Sequence, residues 1–256
     1  MDKVREVAEL TAAGLWAQFA AVPSDVREQL GLAVTQIGDV VVVSTREDPT
    51  HYWSKALGFT GPVTAELIAQ IIEFYRSEDC TQAGLQILPE LLPPDWDEIC
   101  AANNLVAGSE LARLACPAVR DTGSTDLRIT PIVDFEQWIS VTFTAFGMTS
   151  EFAPALIALA ADPDYRSFGA WDGERLVGVG SVLIHDGIGY LNTGATLPAY
   201  RNRGVQSALI GVRAKEAADC RLLVADTSAE PNPSLGNLLR AGFEQVGQPM
   251  QWVWKP

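Results

Sequence analysis

The chain has 256 residues, with 18 Lys and Arg against 32 Asp and Glu, for a formal net charge of −14. The acidic excess holds in both halves, 8 basic against 17 acidic residues over 1–120 and 10 against 15 over 121–256. This argues against a nucleic-acid binder, which must neutralise phosphates. No apolar run approaches the ~20 residues of a membrane span, and 48% hydrophobic residues fit a packed globular protein.

The start, Met1-Asp2-Lys3-Val4-Arg5-Glu6, lacks the basic end and apolar centre of a signal peptide. Cys80, Cys100, Cys116 and Cys220 are widely spaced, and His51 and His185 are the two histidines, so a zinc site is poorly supplied and no metal is expected. Reduced thiols in a cytoplasm are the expectation.

Apolar residues at helical period from Val4 to Phe19, then a break and fresh cap at Pro23-Ser24-Asp25, predict two opening helices. Val34 to Thr45, with its Val40–Val43 run, reads as one buried strand. A helix over Thr64–Arg76, a strand over Ala83–Leu88, a helix from Asp95 to about Asn103 and a strand over Leu105–Leu114 follow. Periodicity is lost between Pro117 and Thr125, where turn formers gather, and the domain boundary is placed there, giving domains 1–120 and 121–256.

The second half reads as a strand at Asp126–Pro131, helices at Asp134–Phe146 and Phe152–Ala161, and strands at Arg166–Trp171 and Arg175–His185 joined by Asp172-Gly173-Glu174. A strand at Gly189–Leu197, a helix at Val205–Ala218, a strand at Arg221–Ala225, a short helix at Ser234–Ala241 and a final strand at Glu244–Trp254 complete it.

Arg201, Arg203 and Gly204 stand between a strand and the first turn of a helix. A helix start exposes N–H groups and the positive end of its dipole, so it can hold a pyrophosphate; glycine admits the anion and arginines add charged contacts. A surface turn with solvated arginines is the competing reading for so short a motif. The pattern Arg201-x-x-Gly204-x-Gln206 after Leu197-Pro198, with Asn232 through Asn237 to Gly242-Phe243 downstream, resembles the GNAT acetyltransferase superfamily over roughly residues 126–256.

The resemblance implies an α/β fold of mixed sheets flanked by helices. It implies an acyltransferase, most simply an N-acetyltransferase, using acetyl-CoA or another acyl-CoA and a small-molecule amine. Leu197 and its neighbours would bond the pantetheine arm. Arg201, Asn202, Arg203, Gly204, Val205, Gln206 and Ser207 would hold the pyrophosphate, and Asn232 would contact the pantetheine amide. The tyrosine that often protonates the leaving thiolate is replaced by Leu238.

For proton handling the candidates are Asp226, at the end of a strand, and Tyr190 and Asn192 on one face of the central strand, with His185 closing the preceding one. Each has an alternative: Asp226 as a cap, Tyr190 as core, His185 as a turn residue. The first half resembles a degenerate N-terminal domain of two-domain GNAT proteins. The segment His51–Phe59 leads to a helix at Thr64 without an arginine between Phe59 and Thr64. Trp53, Phe59, Tyr75 and Trp96 are candidates to line an acceptor cleft, or else core. An acyl carrier protein as donor partner and a silent acyl-CoA-binding module are the other readings; no nucleic acid or membrane partner is expected.

Overall fold

The computed structural model describes residues 2–46, 52–119, 123–148 and 152–256. His51 and three residues of the expected linker, 120–122, lie outside them. Two compact units emerge: Met1–Ala112 with Ser228–Glu230 and Val246–Pro256, and Arg113–Thr227 with Pro231–Gln245.

Unit 1 opens with helices α1 (Asp2–Ala20) and α2 (Ser24–Leu30). The stretch expected as one strand is a hairpin, β1 (Leu32–Ile37) and β2 (Val40–Thr45), paired from Leu32↔Thr45 to Ile37↔Val40. Gly38, at φ +60°, opens the two-residue Gly38-Asp39 turn that reverses the chain. Strand β3 (Lys55–Leu57), helix α3 (Ala65–Ser77) and strand β4 (Ala83–Ile87) form a parallel crossover, followed by α4 (Trp96–Asn103) and β5 (Leu105–Cys116).

Helix α3 begins where Thr64, in extended backbone, accepts a hydrogen bond from Leu67 N–H at 3.2 Å. Its apolar stripe, Ile68, Ile71, Ile72 and Tyr75, is fully buried. Each such aliphatic contributes about 1.5–3 kcal/mol. Thr64→Ala is expected to lower the stability of this unit by about 1 kcal/mol in urea unfolding, because one orphan N–H loses its acceptor.

The end of the chain, expected as one strand, is two: β11 (Glu244–Gly247) and β12 (Met250–Trp254). Proline cannot donate to a ladder, and Pro249 marks the break. Strand β12 lies antiparallel between β4 and β5, with Trp254 opposite both Ala83 and Leu105. It therefore belongs to unit 1, whose strand order is β1-β2-β3-β4-β12-β5. Trp254 is fully buried and stacks on Tyr75 at 5.7 Å, and Phe59 and Trp96 share the same core. Phe59, Tyr75 and Trp96 are thus core residues rather than lining of an open cleft.

Unit 2 contains β6 (Arg128–Pro131), α5 (Phe135–Phe146), α6 (Ala153–Ala160), β7 (Tyr165–Asp172), β8 (Arg175–His185) and β9 (Ile188–Thr196). Helix α7 (Val205–Glu216), β10 (Leu222–Ser228) and α8 (Pro233–Arg240) follow. Its strands run β10-β9-β8-β7-β6, a mixed sheet in which the β9–β10 pair is parallel and the other three pairs are antiparallel. Asp134 caps α5 by accepting from Glu136 and Gln137 N–H.

Glycines let α7 lie close on the sheet. A Cβ at Gly178 would come within 2.6 Å of Val205, and one at Gly189 within 2.8 Å of Ala217. Among the described residues no helix is long and apolar enough to cross a membrane.

Candidate active site

The parallel β9–β10 ladder is short. It runs from Leu222↔Ile188 to Val224↔Tyr190 and stops, although β9 continues to Thr196 and β10 to Ser228. Beyond Tyr190 the two strands separate, leaving one edge of β9 without a β10 ladder.

At the end of β9, Leu197 donates its N–H to Val177 O, a single 3-10 turn spans Pro198–Tyr200, and Asn202 and Gly204 adopt left-handed backbone at φ +64° and +72°. Glycine is required at 204. A Cβ there would stand 2.0 Å from the carbonyl oxygen of Ser124. Gly204 caps α7 with no side-chain hydrogen bond, and the first bond of the helix runs from Ala208 N–H to Gly204 O. The N–H groups of Val205, Gln206 and Ser207 have no acceptor within the helix. Helix α3 of unit 1 differs, since Thr64 supplies its own acceptor.

The Gln206 side chain turns back to Thr196 Oγ1 at 2.8 Å. Arg203 pairs with Asp126 and stands 3.8 Å from Asp172, which leaves it partly neutralised. The hydrogen bond to Asp126 is the main cause holding the Arg203 pKa above its ordinary value, and the reciprocal bond holds the Asp126 carboxyl below its own. Arg201 is exposed. The end of the expected linker also packs here, for a Cβ at Gly123 would meet Ser207 at 2.7 Å.

On the sheet face beside the opening, Asp226 accepts two hydrogen bonds from Arg113, Nε to Oδ1 and Nη2 to Oδ2, both at 3.1 Å. Arg113 is 4% exposed and Asp226 15%. Burial pulls the Arg113 guanidinium down, but the charge and hydrogen bonds of Asp226, with Tyr190 adding, leave its pKa raised. Tyr190 donates its hydroxyl to Asp226 Oδ2 at 3.3 Å. Two of the expected proton-handling residues, Asp226 and Tyr190, therefore touch.

Asn192 belongs to a second cluster. Tyr165 donates to Asn192 Oδ1 at 2.6 Å and lies 2.7 Å from Thr193 Oγ1. Trp138 of α5 meets the Tyr165 ring edge-on. Here β9 is bulged: Val179 faces Ala195 and Ser181 faces Asn192, so Thr193 and Gly194 together oppose Gly180. Thr193 has φ +49°, a costly conformation for a β-branched residue.

His185, at the end of β8, has its Nε2 3.6 Å from Asp186 and lies next to the Asp186-Gly187 turn. A cavity of about 610 Å³ opens along Glu136, Ile139, Ser140, Phe143 and Thr144, on the stripe of α5 opposite Trp138 and so turned from Tyr165. Among the described residues no group of three His, Cys, Asp or Glu side chains is placed to hold a metal.

Residues 132–243 match the sequence model of the Acetyltransferase (GNAT) family. They form a GNAT domain. Proteins of this family use acyl-CoA as donor. Along its whole length the chain is similar in structure to a GCN5-related N-acetyltransferase from Kribbella flavida, with TM-score 0.68 and 15% identity, covering 98% of this chain and 95% of that one.

A tandem GNAT protein from the clavulanic acid biosynthesis pathway matches at TM-score 0.56 and 14% identity, over 98% and 94% of the two chains. A GCN5-related N-acetyltransferase from Sphaerobacter thermophilus matches at 0.59 and 13%, over 97% and 91%. At these identities the likeness is one of fold, and the fold is that of a tandem GNAT protein. No match was found among curated proteins.

Within the GNAT domain, Leu238 is 5% exposed on α8, an apolar side chain with no proton to give. Asn232 caps that helix by accepting from Leu235 N–H at 3.0 Å. Sequence reasoning missed Arg113, Tyr165 and Arg213. Arg213 carried a signal, a basic residue four positions after Leu209 on the helix's apolar stripe. Arg113 stands one residue before the apolar run Leu114-Ala115-Cys116, with nothing local to name its partner.

Proposed function

We propose that the chain transfers an acyl group from acyl-CoA, acetyl-CoA in the simplest case, to the amine of a small molecule. The observation that carries this reading is the opening beyond Tyr190, where β9 and β10 separate and β9 leads into the uncapped start of α7 beside Arg201 and Arg203. An extended pantetheine arm has amide groups that need main-chain partners, and a strand edge supplies them. A pyrophosphate needs converging N–H groups and cations, which a helix start and two arginines supply.

In the reaction the amine nitrogen bonds to the thioester carbon, the C–S bond breaks, and the proton lost by the amine ends on the sulfur. With Leu238 in place of the usual tyrosine, the thiolate leaves with less help. Thiols are far more acidic than alcohols, a cysteine thiol having a pKa of about 8.5, which makes departure as thiolate tolerable. Tyr190 is our candidate for carrying the proton. Its hydroxyl lies on Asp226, and Asp226 is engaged by Arg113, so the tyrosine is oriented by a fixed anion. Asn192 sits one strand-repeat further on, held by Tyr165.

The buried Leu238 favours a second reading, a module that binds acyl-CoA and releases nothing. Thiol release from acetyl-CoA over a panel of small amines separates the two. Turnover above the no-enzyme rate is expected, with kcat lowered about 10–100-fold in Tyr190→Phe while the KM for acetyl-CoA holds. Tight CoA binding with no thiol release would leave the binding module. Turnover only with an acyl-loaded carrier protein would assign the donor to a carrier.

A further inference from the structure

Arg213 lies on α7, 3% exposed, in the core of unit 2. Among the described residues it has no carboxylate partner. Its hydrogen bonds go to main-chain carbonyls: Nε to Leu209 O at 2.9 Å, and Nη1 to Ser181 O at 3.3 Å and Asn192 O at 3.2 Å. A buried cation satisfied only by carbonyls is costly, and an apolar side chain of similar volume would fill the space at less cost. Burial pulls its pKa down to about 10, which still leaves it charged at neutral pH.

The sheet is shaped to admit this guanidinium. A Cβ at Gly180 would stand 3.0 Å from Nε and 3.1 Å from Cζ. Gly180 is the residue that Thr193 and Gly194 together oppose at the bulge in β9. Arg213 thus reaches the bulge from the α7 side, opposite the face on which the Asn192 side chain meets Tyr165.

The carbonyl it holds belongs to the same peptide unit as the Thr193 N–H. In a planar trans peptide the two groups point in opposite directions. With Asn192 O drawn toward Arg213, the Thr193 N–H is directed away from α7, toward the side carrying Asn192, Tyr190 and Asp226. A charged donor on the carbonyl also strengthens the N–H of that unit as a donor.

We propose that Arg213 is a positioning residue for acyl transfer, clamping the Ser181 and Asn192 carbonyls so that the Thr193 N–H is aimed at, and polarised toward, the oxygen of the acyl thioester. As the amine adds to the carbonyl carbon, the π pair moves onto that oxygen, and the N–H stabilises the charge until the C–S bond breaks and the thiolate takes the amine proton. Strain at Thr193 is maintained by this clamp and by the Tyr165 bond to Thr193 Oγ1. The inference rests on the acyltransferase reading for its chemistry, and on the structure alone for the clamp.

The test compares the parent with Arg213→Met, which keeps the volume and loses the charge, and Arg213→Lys, which keeps the charge. Losing one preorganised donor to an oxyanion costs about 10²–10³ in kcat, and weakening one costs less. The expected fall for Arg213→Met is about 10–100-fold in kcat with the KM for acetyl-CoA changed less than about twofold, and Arg213→Lys restores part of it.

In the free protein the Thr193 amide proton is expected to move upfield in Arg213→Met and partly return in Arg213→Lys, as read by 1H–15N spectra. If the Met variant does not fold, the Lys variant carries the test with an intermediate kcat and amide position. An unchanged kcat together with an unmoved Thr193 amide overturns the proposal. If the parent transfers no acyl group, the acyltransferase reading fails, and the amide shift alone decides the clamp.

Discussion

Asp226→Ala is expected to lower the stability of unit 2 by about 3–5 kcal/mol, because it removes the carboxylate that faces a buried cation. Arg113 is 4% exposed and commits both its Nε and Nη2 to the two oxygens of Asp226. Removing the carboxylate leaves the guanidinium in a medium that cannot solvate it, and that penalty exceeds the value of the pair itself.

The sign of the effect is checked by a double variant. Arg113→Met with Asp226→Leu removes both charges and is expected to recover most of the loss, since an apolar replacement of a buried pair is often close to neutral. Urea unfolding of the four proteins gives the coupling directly. A loss below about 1 kcal/mol in Asp226→Ala would mean that the pair is solvated like a surface bridge. Activity lost in an Asp226 variant is therefore first a question of folding, and Tyr190→Phe reports on the chemistry more cleanly.

Reversing both loop arginines, Arg201→Glu with Arg203→Glu, is expected to weaken CoA binding at least tenfold, about 1.4 kcal/mol. Gly204 is kept in this variant because its positive φ and the Ser124 carbonyl beside it admit no side chain. The two arginines are not equivalent. Arg203 already faces Asp126 and Asp172, so part of its charge is spent within the protein, while Arg201 is exposed and available.

Arg201→Glu alone is therefore expected to account for the larger share of the loss. Titration calorimetry with CoA at two salt concentrations checks it, since charge contacts at an exposed loop weaken as screening rises. Equal affinity in parent and double variant would remove the loop from donor binding.

The order of helices and strands was legible along most of the chain because apolar period and caps are local. Thr64 and Asp134 cap the helices their positions suggested, and the Arg201–Ser207 segment does join a strand to a helix start. The hairpin at Gly38-Asp39 was equally local, a glycine turn hidden inside a valine-rich run that was read as one strand.

Tertiary structure alone decided the rest. Which strand lies beside which depends on pairing over long separations, and so β12 lies between β4 and β5 of unit 1 although it follows the GNAT domain in sequence. Asp226 stood out in the sequence as a polar residue at a strand end, and the partner that holds it, Arg113, is 113 positions away. The bulge at Thr193 and the cation behind it came from no motif. They arise because the glycine at 180 leaves room for a guanidinium that, among the described residues, bonds only main-chain carbonyls. Local chemistry named the Arg201–Ser207 loop, and long-range packing chose the groups around Tyr190 and Asn192.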